Sequence, residues 1–286
     1  MRAALFLAIL LSANPDSARV AGRPDAREVV RKSVELDQSN WRKAKDYTYV
    51  EREQESHGGK VSSKTFEVTT LYGHEFRRLT ARDGRPLPPE DAAKEQKRWD
   101  KAIAARANES EEKRAKREAD AEKERQKARA FAREIPDAYN FTLAGEERVD
   151  GHEAWVITAT PRDDFRPKDS QAKVLPKLRG KVWIGQTDFV WVKAEVEVIS
   201  PFRWGLFVAA LNPGTVIDFL QTRVNDEIWM PKQVNVHLDA RLLFKKFEGE
   251  YSDTFSNYRK FTTESKMLPS PEAEAGDDPP APVSKQ

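Results

Sequence analysis

The chain has 286 residues, of which 49 are Lys or Arg and 47 are Asp or Glu, giving a formal net charge of +2. This length predicts one large domain or two small ones. Charged residues make up 34% and hydrophobic residues 38%, which is polar for a compact domain, so part of the chain is expected outside the core. The near-neutral charge argues against a nucleic-acid partner. The absence of cysteine excludes disulfides, thiolate nucleophiles and a lipid-anchoring cysteine.

The first residues have the pattern of a secretory signal peptide. Arg2 provides the positive start, Ala3 to Leu11 form an unbroken apolar run, and small residues follow at Ala13 and Gly22. Cleavage after either small residue fits, and the later one makes 1–22 the signal peptide. The run is too short to span a bilayer, and no later apolar run approaches about 18 residues. We therefore expect a secreted, periplasmic protein without a transmembrane helix.

A helix and three strands are predicted next. Asp25 is placed to cap a helix with an apolar stripe at spacings of three, four and seven: Ala26, Val29, Val30, Val34, Leu36 and Trp41. Strands are predicted at about 47–54, 61–71 and 75–81. The first two are joined through His57-Gly58-Gly59, which are hairpin-turn residues. We expect His57 to be a solvated turn residue, because no second metal ligand lies at a useful spacing.

Residues 90–134 are a charged, strongly helical segment without a sustained heptad. A single helix of this length would run about 65 Å, longer than a small domain is wide. Asn108-Glu109-Ser110 supplies a candidate N-cap, so we predict two helices that meet near Asn108. The segment is either a solvated arm with mixed ion pairs or an element that binds a partner. In both cases it is too polar to cover an apolar sheet face.

The rest of the chain predicts a large antiparallel sheet. Residues 188–199 alternate, with Val190, Val192, Ala194, Val196 and Val198 on a dry face and Trp191, Lys193, Glu195 and Glu197 on a wet one. Residues 227–242 repeat the alternation. Together with helices, these strands indicate an α+β fold whose dry face must be covered by helices, by the sheet itself or by a ligand. One predicted strand starts with Phe141 and Leu143 and precedes a turn at residues 149–152. The others are at about 153–160, 181–185, 188–199, 215–224, 227–242 and 248–261, with Asn225-Asp226 as a tight turn.

Catalytic patterns are sparse. The four histidines are dispersed, and the chain has no zinc-protease, nucleophile-elbow, P-loop or dinucleotide motif. We therefore predict no catalytic residue, no metal site, no cofactor and no enzymatic activity. Asp218 shares a strand face with Val216 and Leu220, so it is either paired with a neighbouring Arg or Lys or lines a cavity.

Alternation is lost between Pro201 and Pro213, where large apolar residues crowd around Gly205. Two interpretations are open. This segment is either a hydrophobic lip that covers an apolar ligand or touches a membrane surface, or a buried crossover that fills the core.

The strand phrases VDGHEAWVITATP, GKVWIGQTDFVWVKAEVEV and DEIWMPKQVNVHLDARLLFKKF, closing on YSDTFSNYRKF, resemble outer-membrane lipoprotein-sorting proteins of the LolA/LolB type. They resemble more closely the exported bacterial relatives that end in an N-Y-R-x-F strand. The likeness covers about residues 25–264, with 90–134 as an insertion. It implies an unclosed half β-barrel over 23–264, a curved antiparallel sheet with helices on its concave side. Residues 265–286 are expected to be a disordered acidic tail.

Resemblance and composition together predict a periplasmic, non-enzymatic carrier or binding protein for lipid-modified or other hydrophobic ligands. The residues expected to line the cavity or its lip are Trp155, Trp183, Phe202, Trp204, Phe207 and Phe219. The alternative is an envelope interaction or sensory module whose charged helical arm binds a protein partner. Peripheral contact with a membrane is compatible with either hypothesis.

Overall fold

The computed structural model describes residues 23–37, 43–44, 46–71, 74–203, 209–242 and 245–260. The predicted signal peptide and acidic tail therefore lie outside the described residues. In chain order the bounded elements are α1 (Ala26–Asp37), β1 (Tyr47–His57), β2 (Lys60–Leu71), β3 (His74–Arg82), β4 (Arg85–Pro86), α2 (Pro89–Ala107), α3 (Glu111–Ala138), β5 (Tyr139–Val149), β6 (His152–Pro161), a 3₁₀ helix (Gln171–Lys177), β7 (Leu178–Gly185), β8 (Trp191–Val198), β9 (Phe202–Arg203), β10 (Ala209–Leu211), β11 (Val216–Val224), β12 (Ile228–Leu242) and β13 (Lys245–Lys260).

The strands form one antiparallel sheet. Its order is β4-β3-β2-β1-β13-β12-β11-β8-β7-β6-β5, and the short strands β9 and β10 pair with each other beside β12. The chain starts this sheet in its middle, builds one wing with β1 to β4, and crosses to the other wing through α2 and α3. Strands β4 and β5 end the two wings, so the sheet is open. The predicted α+β fold with a large open sheet is confirmed.

Tight turns set the register of the long hairpins. Gly58 and Gly59 have φ of +55° and +77° between β1 and β2, a conformation that glycine adopts without steric cost. Asn225 and Asp226, with φ of +51° and +54°, join β11 to β12. Both positions were predicted from the sequence as turns, and both predictions are confirmed.

Helix α1 packs against the β5–β7 wing of the sheet. The Asp25 carboxylate accepts a hydrogen bond of 2.9 Å from the Glu28 backbone N–H, which confirms the predicted cap. The stripe of α1 buries Val29 and Val30 against the sheet, together with Ala26, Ile157 and Ile184. Burying each aliphatic side chain in this way contributes about 1.5–3 kcal/mol. Trp41, which the stripe was predicted to include, lies outside the described residues.

The charged segment forms two helices, as predicted. Asn108 ends α2, and Ser110 caps α3 by accepting a hydrogen bond of 3.4 Å from the Lys113 backbone N–H. Between them Glu109 pairs with Arg106 at 2.9 Å and with Arg117 at 3.1 Å, which fixes the elbow. Most side chains in the first half of α3 are exposed.

The C-terminal end of α3 corrects the expectation that this segment is too polar to cover the sheet. Its last turns contact α1 and the 3₁₀ helix. Phe131 and Ile135 pack against a buried cluster of Ala138, Tyr139, Ala172 and Leu175. Within the described ranges, none of the helices is both long and apolar enough to cross a membrane.

Candidate ligand-binding cavity

A cavity of about 400 Å³ lies between the helices and the β6–β8 part of the sheet. Its side walls come from α1, α3 and the 3₁₀ helix, and its floor comes from β7 and β8. The helix residues on its walls are Val30, Ser33, Val34, Phe131, Ala132, Ile135 and Leu175, and the other apolar lining residues include Tyr139, Ala159, Leu178, Val182, Ile184, Trp191, Ala194 and Val196. Its volume falls within the range of about 300–1,000 Å³ typical of small-molecule sites.

The lining is chemically simple. Apolar side chains dominate it. The polar residues are Ser33 of α1, which is 4% exposed, and Tyr139 at the start of β5, and three charged residues of β7 and β8 also border the cavity: Arg179, Lys181 and Glu195. The Tyr139 hydroxyl donates a hydrogen bond of 2.8 Å to the Leu175 carbonyl, and burial raises the pKa of this tyrosine. This phenol is therefore neutral at physiological pH and already occupied. An arrangement of this kind offers shape and apolar contact to a ligand.

Strand alternation determines which β7 residues reach the floor. Val182 and Ile184 point toward the helices, whereas Arg179 points to the other face and makes a two-pronged pair with Glu197 at 2.8 and 2.9 Å. Gly180 lies in the same row as Val182. A Cβ atom there would lie 2.6 Å from the Glu195 carbonyl oxygen, so only glycine allows β7 and β8 to approach this closely.

Trp155 and Phe219, two of the predicted lining residues, lie on the same sheet face as the cavity. Trp155 is paired in register with Ile184 and packs against Phe189, with ring centroids 5.2 Å apart. Phe219 packs against Trp191, with ring centroids 4.5 Å apart, and Trp191 lines the cavity. Both side chains thus support residues of the cavity wall from outside.

Trp183 lies on the opposite face of the sheet. It is paired in register with Val156, is 2% exposed, and donates a hydrogen bond of 2.7 Å to Glu147. The Lys193 ammonium lies 4.2 Å from its ring centroid. This tryptophan anchors a second small cluster with Ala154 and Val156, away from the cavity.

The predicted lip is described only at its ends. Phe202 lies in β9, opposite Leu211 of β10, at a distance along the sheet from the cavity lining. Trp204 and Phe207 lie outside the described residues. Neither interpretation of this segment is decided by the described part of the chain.

Trp191 is a cavity residue that the sequence pattern placed on the wrong face. Trp183 pairs with Lys193, but Ile184 pairs with Trp191, so Val192 is an extra residue in β8. This bulge shifts Trp191 to the dry face, beside Ile184. Val192 itself is fully buried.

The apolar face of the sheet continues past the cavity. Val196 and Ala194 of β8 pair with Ile217 and Phe219 of β11, and these pair with Val236 and Val234 of β12. The four residues beyond β8 are half-buried, whereas the corresponding floor residue Ile184 is 1% exposed. The cavity is therefore bordered by an apolar strip that the helices with described bounds leave partly uncovered.

Asp218 does not line the cavity. It lies on the opposite face, paired in register with Glu195, which makes a 2.6 Å ion pair with Lys193. The charge of Lys193 also acts on Asp218 and favours its ionised form. Burial, followed by the charge of Glu195, raises the pKa of Asp218. In the described part of the chain, no group of three or more His, Cys, Asp or Glu side chains could hold a metal ion.

Comparison with known proteins finds similarity to one family over part of the chain. Residues 42–168 match the model of the MucB/RseB N-terminal domain. The predicted resemblance to LolA/LolB-type proteins is confirmed. LolA- and MucB-type families are non-enzymatic binding or carrier proteins of the periplasm and envelope. No curated protein matches the chain.

The solved structures to which this chain is similar are remote from it in sequence. A DUF1329 family protein from Desulfovibrio piger is 13% identical over 85% of this chain and 96% of its own, with a TM-score of 0.35. A LolA superfamily protein from Nitrosomonas europaea is 11% identical over 86% and 96%, with a TM-score of 0.32. The Pseudomonas aeruginosa MucA/MucB complex gives 10% identity over 84% and 100%, with a TM-score of 0.25.

Proposed function

We propose that this chain is an exported carrier or binding protein that holds an acyl chain or a similar apolar group in the cavity between α1, α3 and the sheet. The observation that carries the proposal is a cavity of about 400 Å³ with mostly apolar walls. Residues 1–22 would direct the chain to the periplasm and be removed. The resemblance to lipoprotein-sorting proteins supports a lipid-modified or other hydrophobic ligand.

The expected source of affinity is apolar burial. Each methylene group transferred from water to the cavity contributes about 0.8 kcal/mol before the entropic cost of binding is subtracted. The half-buried residues Ile217, Phe219, Val234 and Val236 give a longer chain a surface on which to continue past the cavity floor. Because the Tyr139 hydroxyl is already bonded, a polar ligand finds few groups to replace its water.

Filling the cavity tests this function. Ala194 lies on the cavity floor, and an Ala194→Trp side chain would occupy the space that the ligand needs. We expect at least a tenfold loss in affinity for a fluorescent fatty-acyl probe, with the fold retained by circular dichroism. Ala132→Phe does the same from α3, in case the floor does not accept a tryptophan.

The matched control is Thr160→Trp, since this exposed strand residue adjoins the lining residue Ala159 and points to the opposite face. The control should bind the probe as the unmodified protein does. If both folded cavity variants bind with unchanged affinity, the ligand does not enter this cavity.

The exposed first half of α3 favours a second function, the binding of a protein partner. Its side chains from Glu111 to Gln126 are mostly exposed, and the elbow at Glu109 holds it in place. Residues 42–168 match the MucB/RseB N-terminal domain model, and MucB has been solved in complex with MucA(peri). Replacing Arg114 and Lys116 by Glu should abolish pull-down of an envelope partner while leaving acyl-probe binding unchanged. Unchanged pull-down of the partner would argue against this second function.

A further inference from the structure

A second concavity, of about 700 Å³, lies on the other side of α3 from the apolar cavity. It runs between α3 and the loop that leads from β6 to the 3₁₀ helix. Four cationic side chains border it, namely Arg133, Arg162, Arg166 and Lys168, and so do four carboxylates. The cations and carboxylates are equal in number. Whether the groove favours an anion therefore depends on which of these side chains already have partners within the protein.

Three of the four carboxylates accept hydrogen bonds, and the fourth, Asp137, lies near an arginine. Glu134, which is 9% exposed, accepts hydrogen bonds from the Lys168 and Asp169 backbone N–H groups at 2.8 and 2.7 Å. Asp164 forms a two-pronged pair with Arg162 at 2.9 and 2.7 Å. The Asp169 carboxylate accepts a hydrogen bond of 2.7 Å from the Gln171 backbone N–H. The Asp137 carboxylate lies 3.9 Å from the Arg27 guanidinium of α1.

Three of the cations keep donors free. Arg133 and Lys168 are exposed and have no side-chain partner among the residues that the structure describes. Arg166 uses one guanidinium nitrogen, which donates to the Asp163 and Phe165 carbonyls at 3.1 and 3.0 Å. Its other N–H groups remain available. Arg133 of α3 and Arg166 and Lys168 of the loop therefore border one groove with unused donors. Charge-assisted hydrogen bonds from such side chains are the contacts that an oxyanion requires.

The groove and the apolar cavity share a wall. Phe165 borders the groove and packs against the cluster of Tyr139 and Leu175, which border the cavity. On α3, Arg133 faces the groove, and its near neighbours Phe131 and Ile135 face the cavity. A ligand with an apolar chain and an anionic group at one end could place its chain in the cavity and its anionic group in the groove. The two sites are separated by about the width of one helix.

We propose that Arg133, Arg166 and Lys168 form a binding site for a phosphate-type oxyanion, carried as the headgroup of the amphiphile whose chain enters the cavity. The part of this proposal that concerns the ligand's apolar chain rests on the proposed function. The oxyanion site itself does not. Inorganic phosphate is the other source of the same chemistry. Because these side chains are exposed, the preference for an anion should weaken as ionic strength rises.

The test compares three probes by isothermal titration calorimetry with the full mature chain. Dodecyl phosphate and dodecyl maltoside carry the same apolar chain with charged and neutral heads, and inorganic phosphate carries no chain. The test variant is R133Q/R166Q/K168Q. The control variant R114Q/K116Q/K123Q removes the same charge from exposed positions of α3 outside both cavities.

We expect the unmodified protein to bind dodecyl phosphate about tenfold more tightly than dodecyl maltoside at low salt, as one or two charge-assisted hydrogen bonds would give. The test variant should lose this preference and bind the maltoside unchanged, and the control variant should keep the preference. Binding of inorganic phosphate as tight as that of dodecyl phosphate would support the site with free phosphate as its ligand.

Two results overturn the proposal: equal affinity of the unmodified protein for the two dodecyl probes, or a preference that the test variant retains. Maltoside binding without a preference would reject the oxyanion site and leave the carrier function standing. Binding of inorganic phosphate without binding of dodecyl maltoside would reject the carrier function and leave the oxyanion site standing.

Discussion

Glu134 holds the loop that borders the groove, and replacing it gives the sharpest test of how this region is built. Its two carboxylate oxygens accept from consecutive backbone N–H groups, those of Lys168 and Asp169. Glu134→Ala leaves both donors without their acceptor. Hydrogen bonds to a charged group contribute about 1.5–3 kcal/mol each, and removing the desolvated carboxylate returns part of that sum. We expect a net loss of about 2–4 kcal/mol in the free energy of unfolding.

Glu134→Gln keeps one acceptor oxygen and should lose about half as much. The control is Glu118→Ala, because Glu118 is exposed on the same helix and has no side-chain partner in the described residues. Its effect should stay within about 0.5 kcal/mol. Urea unfolding measures the free energies, and hydrogen exchange follows the amides of Lys168 and Asp169, which should lose protection in the alanine variant. Unfolding free energies equal to those of the Glu118→Ala control, with both amides still protected, would refute the reasoning.

Two further changes test the cavity floor and strand β13 in the middle of the sheet. Gly180→Ala forces a Cβ atom to within 2.6 Å of the Glu195 carbonyl oxygen and should lower the free energy of unfolding by about 1–3 kcal/mol. Gly145→Ala, which has open space around it, should not lower it. Equal effects of the two variants in urea unfolding would contradict this packing. Burial, and next the charge of Glu53, raises the pKa of Asp253. A raised folded-state pKa means that stability from this group is present below its unfolded pKa of about 4 and is lost as pH rises through the folded value. Asp253→Asn should therefore stabilise the protein at pH 7 and lose that advantage toward pH 4, as pH-dependent thermal unfolding would show; an advantage independent of pH would contradict this cause.

Most of the secondary structure follows from local patterns in the sequence. Alternation along β8 and β12, the turns at Gly58-Gly59 and Asn225-Asp226, and the cap at Asp25 each depend on a few neighbouring residues. These interactions are short in range, so a single sequence is enough to predict them. The open antiparallel sheet follows from the number and length of the strands together with the family resemblance.

The cavity was harder to predict, because it depends on register between strands. Trp155 and Trp183 look alike in sequence, but pairing with Ile184 and Val156 puts them on opposite faces. Similarly, the one-residue bulge at Val192 moves Trp191 to the dry face, and regular alternation contains no sign of it. Which side chain lines the cavity is therefore a property of pairs of strands, and no single strand encodes it.

The end of α3 was missed for a different reason. Averaged over its length the segment is polar, and this average hides Phe131 and Ile135 at a spacing of four, one turn of the helix. Because α3 continues without interruption from the exposed turns at Glu111 to the cavity wall at Ile135, the carrier and partner-binding functions need not exclude each other. If a partner binds α3 more tightly when the cavity is filled, then the ligand must bind more tightly, by the same factor, when the partner is present.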